Sequence, residues 1–180
     1  MITSARVKTN VVVRATDAAD RENIEQVLLD AYEQFQEVLT HQQWEEYRSN
    51  IIAAISANKS WAKLLAEVDG NPVGAVLLYT SSVTAYGPAA VSIEHPIIRL
   101  LGVKRSARGQ GVATALVEAC IRLAQEAGAG YIYLHTSDLM QEAIALYEKL
   151  GFERMPEKEF TNQAILVKCY RRQIASPGIP

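Results

Sequence analysis

The stretch that most limits what this chain can become is Leu100-Leu101-Gly102-Val103-Lys104-Arg105-Ser106-Ala107-Arg108-Gly109-Gln110-Gly111-Val112-Ala113-Thr114. An apolar run ends, a loop with glycines turns, and a helical pattern starts. Glycine lets backbone approach a ligand closely. The helix behind it presents unpaired N–H groups and a partial positive charge, which suits a phosphate or pyrophosphate. Arg108 adds a full charge at the same mouth. Read as structure alone, the segment is a tight strand-to-helix turn with a surface arginine. A Walker-type loop is excluded, because no Gly-Lys-Ser/Thr follows at the required spacing. A dinucleotide fingerprint expects a small residue where Thr114 stands, and more alternating strands and helices than remain.

The rest of the chain is short enough to form one domain: 180 residues, assigned here as an extension over 1–10, a domain over 11–172 and a tail over 173–180. Val11 to Ala15 reads as a strand. Thr16 to Asp20 offers a helix cap, and Ile24, Val27, Leu28 and Ala31 follow at helical spacing. The next residues, to Leu39, either extend that helix or form a loop. A second helix spans about Gln42 to Asn58. Leu64–Val68 and Val73–Thr80 flank Asp69-Gly70, a hairpin signal. Ser81–Ala90 reads as a loop. A strand over Ile97–Val103 follows, then a helix from Gly111 to Ala127 closed by Gly128. Next come a strand over Tyr131–Thr136, a helix capped by Asp138 with Gln141 and stopped by Gly151, and a last strand over Ile165–Tyr170. Hairpins first and a βαβ unit later predict a mixed α/β architecture with helices on the sheet faces.

Composition removes several functions. Lys and Arg number 18 against 20 Asp and Glu, a formal charge of −2, so the basic excess of a nucleic-acid binder is missing. No apolar run approaches the ~20 residues of a membrane span, and the start carries no secretory pattern. Cys120 and Cys169 form no disulfide framework, no Cys/His spacing suggests a metal site, and the cytoplasm is the expected compartment.

Two motifs carry a family resemblance. Arg108-Gly109-Gln110-Gly111-Val112-Ala113 resembles the Gln/Arg-x-x-Gly-x-Gly/Ala loop of the GNAT N-acetyltransferase superfamily. Ala143-Ile144-Ala145-Leu146-Tyr147-Glu148-Lys149-Leu150-Gly151-Phe152 is similar to its Ala-x-x-Leu-Tyr-x-x-Leu-Gly-Phe signature. Their order and the helix-and-strand gap between them also fit, and the resemblance covers about Val11 to Tyr170. It implies a mostly antiparallel sheet splayed between its fourth and fifth strands, with about four flanking helices and acetyl-CoA in the V. Leu101, Gly102 and Val103 would bond the pantetheine arm. Arg108, Gly109, Gln110, Gly111, Val112, Ala113 and Thr114 would surround the pyrophosphate.

The resemblance also implies direct attack by an amine, without an acyl-enzyme, and Cys120 falls on the apolar stripe of its helix. Tyr147 holds the place of the family's general acid, beside the cofactor. The proton acceptor is open between Glu94, His95, His135 and a water relay; each of the three side chains also reads as an ordinary solvated or bonded loop residue. Lys104 stands where relatives often carry proline, and Met140 and Gln141 lie where an asparagine is frequent. Tyr32, Phe35, Trp44, Tyr47 and Tyr86 are candidates for an acceptor pocket or plain packing. The expected acceptor is a small-molecule or peptide amine, with a homodimer possible. The competing readings are a non-catalytic acyl-CoA-binding sensor and a nucleotide-dependent oxidoreductase.

Overall fold

The computed structural model describes residues 10–88, 90–162 and 164–174. The extension 1–10 and the tail 173–180 lie outside them, apart from Asn10, Gln173 and Ile174. Gln173 is still in the sheet, and Ile174 is buried.

The β-branched run opens the chain as β1, Val11–Ala15. Asp17 ends it: its carboxylate accepts from the Ala19 N–H, and Asp20 accepts from the Asp17 N–H. This reciprocal cap starts a 3-10 turn, Ala18–Asp20, that runs directly into α1, Arg21–Tyr32, which buries Ile24, Val27, Leu28 and Ala31. The stretch left open in the sequence tightens into a 3-10 turn over Glu33–Glu37. Thr40 and Gln43 cap α2, His41–Ser56. The hairpin forms as β2, Ala62–Val68, and β3, Asn71–Tyr79. Asp69 and Gly70 both take positive φ, 51° and 75°, as a two-residue primed turn demands.

The loop expected over Ser81–Ala90 is corrected in part. Ser81 and Thr84 cap each other and start a short helix, α3, Ser82–Tyr86, which Gly87 ends at a φ of 93°. Then come β4, Ile97–Val103, α4, Val112–Glu126, and β5, Tyr131–Ser137. The chain finishes with α5, Gln141–Lys149, β6, Glu153–Arg154, β7, Phe160–Asn162, and β8, Ile165–Gln173. The capping box expected at Asp138 does not form. Met140 occupies the cap position, the Asp138 carboxylate pairs with Lys168, and Gln141 donates to the Asp138 carbonyl instead. An ion pair across to β8 competes better for that carboxylate than backbone N–H groups do.

The sheet runs β1-β2-β3-β4-β5-β8-β6, with β7 on β8. All pairs are antiparallel except β4 with β5, and that pair keeps only two rungs, Ile97 opposite Tyr133 and Ile98 opposite Leu134. The sheet is therefore mixed and splayed where expected. Leu65, Leu77 and Tyr79 bury one face under α1 and α2; Leu64, Val76 and Leu78 bury the other under α4. Gly74 sets how closely α4 approaches: a Cβ there would sit 2.6 Å from Val112 Cγ1. The start of α4 is thus pressed onto β3. Among the described residues no helix is long and apolar enough to cross a membrane.

Candidate functional site

Where the β4–β5 ladder stops, the strands diverge around a cavity of about 1210 Å³. Beyond Ile98 the β5-facing edge of β4 has no strand partner among the described residues. A register shift opposite Ala75–Leu77 places Leu100 in the left-handed region at a φ of 56°. A leucine held there carries roughly 1–2 kcal/mol of strain. The bulge breaks the in-out alternation, and both Leu100 and Leu101 line the cavity. The Leu101 carbonyl accepts from Tyr32 Oη at 2.9 Å.

The glycine loop follows. Gly109 and Gly111 adopt φ of 73° and 82°, and a Cβ on either would meet nothing within 4 Å. Backbone conformation, not crowding by the protein, demands glycine there. Gly111 is also the N-cap residue of α4, so no side chain covers the first amides of that helix, in contrast to α2 and α3. Val112, Ala113 and Thr114 line the cavity at this uncovered end. The Arg108 guanidinium ties the loop to α1, donating to Gln34 Oε1 at 2.9 Å and the Ala31 carbonyl at 3.3 Å. Leu101, Gly102, Val103, Arg108, Gly109, Gly111, Val112, Ala113 and Thr114 thus all line the cavity. Gln110 does not line it; its side chain is exposed and donates to the Ser106 carbonyl.

Tyr147 enters from α5, buried, with its ring 5.9 Å from Phe152. Burial, and secondarily Cys120, pushes its hydroxyl well above the usual tyrosine range, so it keeps its proton at neutral pH. Cys120 lies on the buried face of α4, away from the lining, and burial pushes its thiol up to about 12. A thiol so held is no nucleophile.

His135 and Thr136 stand at the end of the β5 ladder on opposite faces. His135 Nδ1 lies 3.1 Å from Tyr86 Oη, and Phe160 meets its ring edge-on. Burial lowers its pKa, against weaker upward pulls from the Lys158 backbone and Glu159. His135 Nε2 and Thr136 Oγ1 are buried and make no hydrogen bond among the described residues. Glu94 is exposed, and His95 stacks on Tyr133 at 5.7 Å; neither lines the cavity. Tyr32, Phe35, Tyr47 and Tyr86 do line it, whereas Trp44 is packed in the core. The sequence reading missed Arg99, Thr136 and Phe160, all in the lining. Arg99 had a signal: it is a lone charge inside Ile97-Ile98-Arg99-Leu100-Leu101.

Known proteins resemble this arrangement. Residues 22–152 match the model of the Acetyltransferase (GNAT) family. N-acetyltransferase 8B of Homo sapiens is 37% identical over 70 residues, covering 39% of this chain and 31% of that protein. The matches span about a quarter to a half of the length of the curated relatives. A Corynebacterium glutamicum structure described as histone acetyltransferase HPA2 and related acetyltransferase superposes with a TM-score of 0.68 at 23% identity, covering 94% of this chain and 99% of that one. The PaiA N-acetyltransferase of Thermoplasma acidophilum, solved in complex with coenzyme A, gives 0.66 at 13% identity, covering 91% and 99%.

Proposed function

Because the chain belongs to the acetyltransferase (GNAT) family, we propose that it transfers an acetyl group from acetyl-CoA to an amine. The observation that carries this reading is the uncapped start of α4, set behind two left-handed glycines and opening on a cavity between unpaired strand edges. The residues present fit coenzyme A. The amides at the start of α4 suit its pyrophosphate. The free edge of β4 suits the amide-bearing pantetheine arm, which would add like a strand. Thr136 lines the cavity, and its buried hydroxyl has no partner among the described residues. PaiA, solved with coenzyme A, supports the same ligand.

Bound acetyl-CoA supplies an activated thioester; the protein supplies placement and proton handling. Backbone N–H groups near Leu101 and Val103 face charge that develops on the carbonyl oxygen. Tyr147 keeps a proton for the departing thiolate. His135, neutral at pH 7, takes the amine's proton through the Tyr86 hydroxyl beside Nδ1. Glu94 and His95, outside the lining, have no such part. The position and raised pKa of Cys120 support direct attack over an acyl-enzyme.

Acetyl-CoA or CoA at about 100 times its dissociation constant is expected to add roughly 2.7 kcal/mol of stability. That is a rise in Tm of about 5–10 °C, which NAD and ATP do not produce. Product formation with an amine panel completes the test. A Tm rise without transfer to any amine makes the domain an acyl-CoA sensor; a rise with NAD alone overturns the reading.

The proton path has its own signature. A histidine whose pKa is lowered on folding is neutral, and here competent, above that value. kcat is expected to fall with acid on a limb below the ordinary imidazole value of about 6.5. His135→Gln should remove that limb and lower kcat about tenfold. The same shift makes the fold lose stability as pH drops below about 6.5, because the unfolded chain then binds the extra proton. An unchanged profile in the variant assigns the proton elsewhere.

A further inference from the structure

A guanidinium inside an apolar strand calls for a partner. Arg99 is half-buried in β4 and lines the cavity. Its Nη1 donates to the Ala85 carbonyl at 2.7 Å, and its Cζ lies 4.9 Å from the centre of the Tyr86 ring. The Tyr79 hydroxyl also accepts from the guanidinium. None of these neighbours carries negative charge, and among the described residues no carboxylate pairs with it. Arg14, Arg154 and Lys168 all have acids beside them. The acids in the cavity lining, Glu37 and Glu142, are both exposed. A guanidinium presents five N–H donors in a fork that matches a carboxylate, and several remain for a ligand.

Its register says which part of the ligand it meets. Ile97 pairs with Tyr133, and two residues further along each strand stand Arg99 and His135. They occupy the place of the next rung on that face, had the ladder continued. The strands begin to part at this rung, so the two side chains stand on opposite lips of the opening. Both then touch Tyr86, Arg99 over its ring and His135 at its hydroxyl. A carboxylate on Arg99 and an amine at the Tyr86 hydroxyl therefore fit within one small molecule. Phe160 meets the Tyr86 and His135 rings edge-on, and Phe35 and Tyr47 add apolar surface to the same cavity.

We propose that Arg99 binds a carboxylate of the acceptor, so that the amine acetylated here is that of a free amino acid with an apolar side chain. This rests on the acetyl-transfer reading above and specifies its substrate. A peptide amino terminus offers a neutral amide where Arg99 needs an anion.

The test uses a panel of L-amino acids, their α-carboxamides and short peptides with the same first residue. Binding to the CoA-loaded protein is measured by calorimetry, and transfer as kcat/KM. Free acids are expected to exceed matched amides by about 10- to 100-fold in both, the scale of a charge-assisted pair. Arg99→Gln should erase the preference while the CoA-induced rise in Tm persists, and Arg99→Lys should keep part of it. Amides or peptides serving as well as acids overturn the proposal, even if Arg99→Gln fails to fold. So does a preference that survives in Arg99→Gln. Wild-type binding of acids over amides with no transfer to either sustains the carboxylate site and overturns the acetyl-transfer reading instead.

Discussion

Tyr147→Phe is expected to lower kcat by about ten- to a thousand-fold and to leave CoA affinity unchanged. The ring would keep its place against Phe152, so the change removes a proton donor and little packing. Burial holds that hydroxyl protonated, and it lines the cavity from α5. A thiol leaves with a pKa of about 8.5, so a thiolate released at neutral pH recovers a proton from a nearby donor. The check pairs steady-state turnover with the CoA-induced rise in Tm. Equal turnover in both proteins gives Tyr147 a packing role only.

Gly111→Glu should abolish the CoA-induced rise of about 5–10 °C. A side chain at a φ of 82° costs roughly 1–2 kcal/mol, and the Cβ meets nothing in the protein, so the apo fold survives with a Tm a few degrees lower. The carboxylate would compete for the open amides of α4 and repel a pyrophosphate. Gly111→Ala carries the same backbone strain without the charge and should retain most of the rise. Thermal melts of the three proteins with and without CoA decide it. A full rise in the Glu variant places the phosphates away from this loop.

Much of this was legible because it is local. The Asp69-Gly70 turn, the glycines that stop α4 and α5, and the uncapped loop before α4 are conformational demands met by single residues. The two motifs then singled out Tyr147 and the loop proposed to hold the cofactor, and both line the cavity. What escaped depends on partners distant in sequence. Leu100 takes a left-handed φ without being glycine, and only the mismatch with β3 reveals the bulge. Asp138 looked like a cap until Lys168, on β8, claimed it. The α3 signal, Ser81 with Thr84, was present but sat in a stretch dominated by Gly87-Pro88. β6 and β7 are two and three residues long and exist by pairing with β8. Glu94, His95 and His135 were indistinguishable as residues; the divergence of β4 from β5 separates them, because His135 stands at its edge.

The two-rung junction also bears on how the chain is made. β1 to β4 come from residues 11–103, and each pairs with its neighbour in sequence. β5 lies on the far side of α4, so during synthesis the N-terminal half meets its surroundings before the strand that borders the cleft exists. At that stage the outer edge of β4 is an open strand of the kind that recruits other chains. Arg99 interrupts Ile97-Ile98 and Leu100-Leu101 with a charge, and Leu100 breaks the strand's regular course, two devices that blunt an exposed edge. The irregular segment that shapes the cleft in the finished protein therefore also guards the nascent one against aggregation.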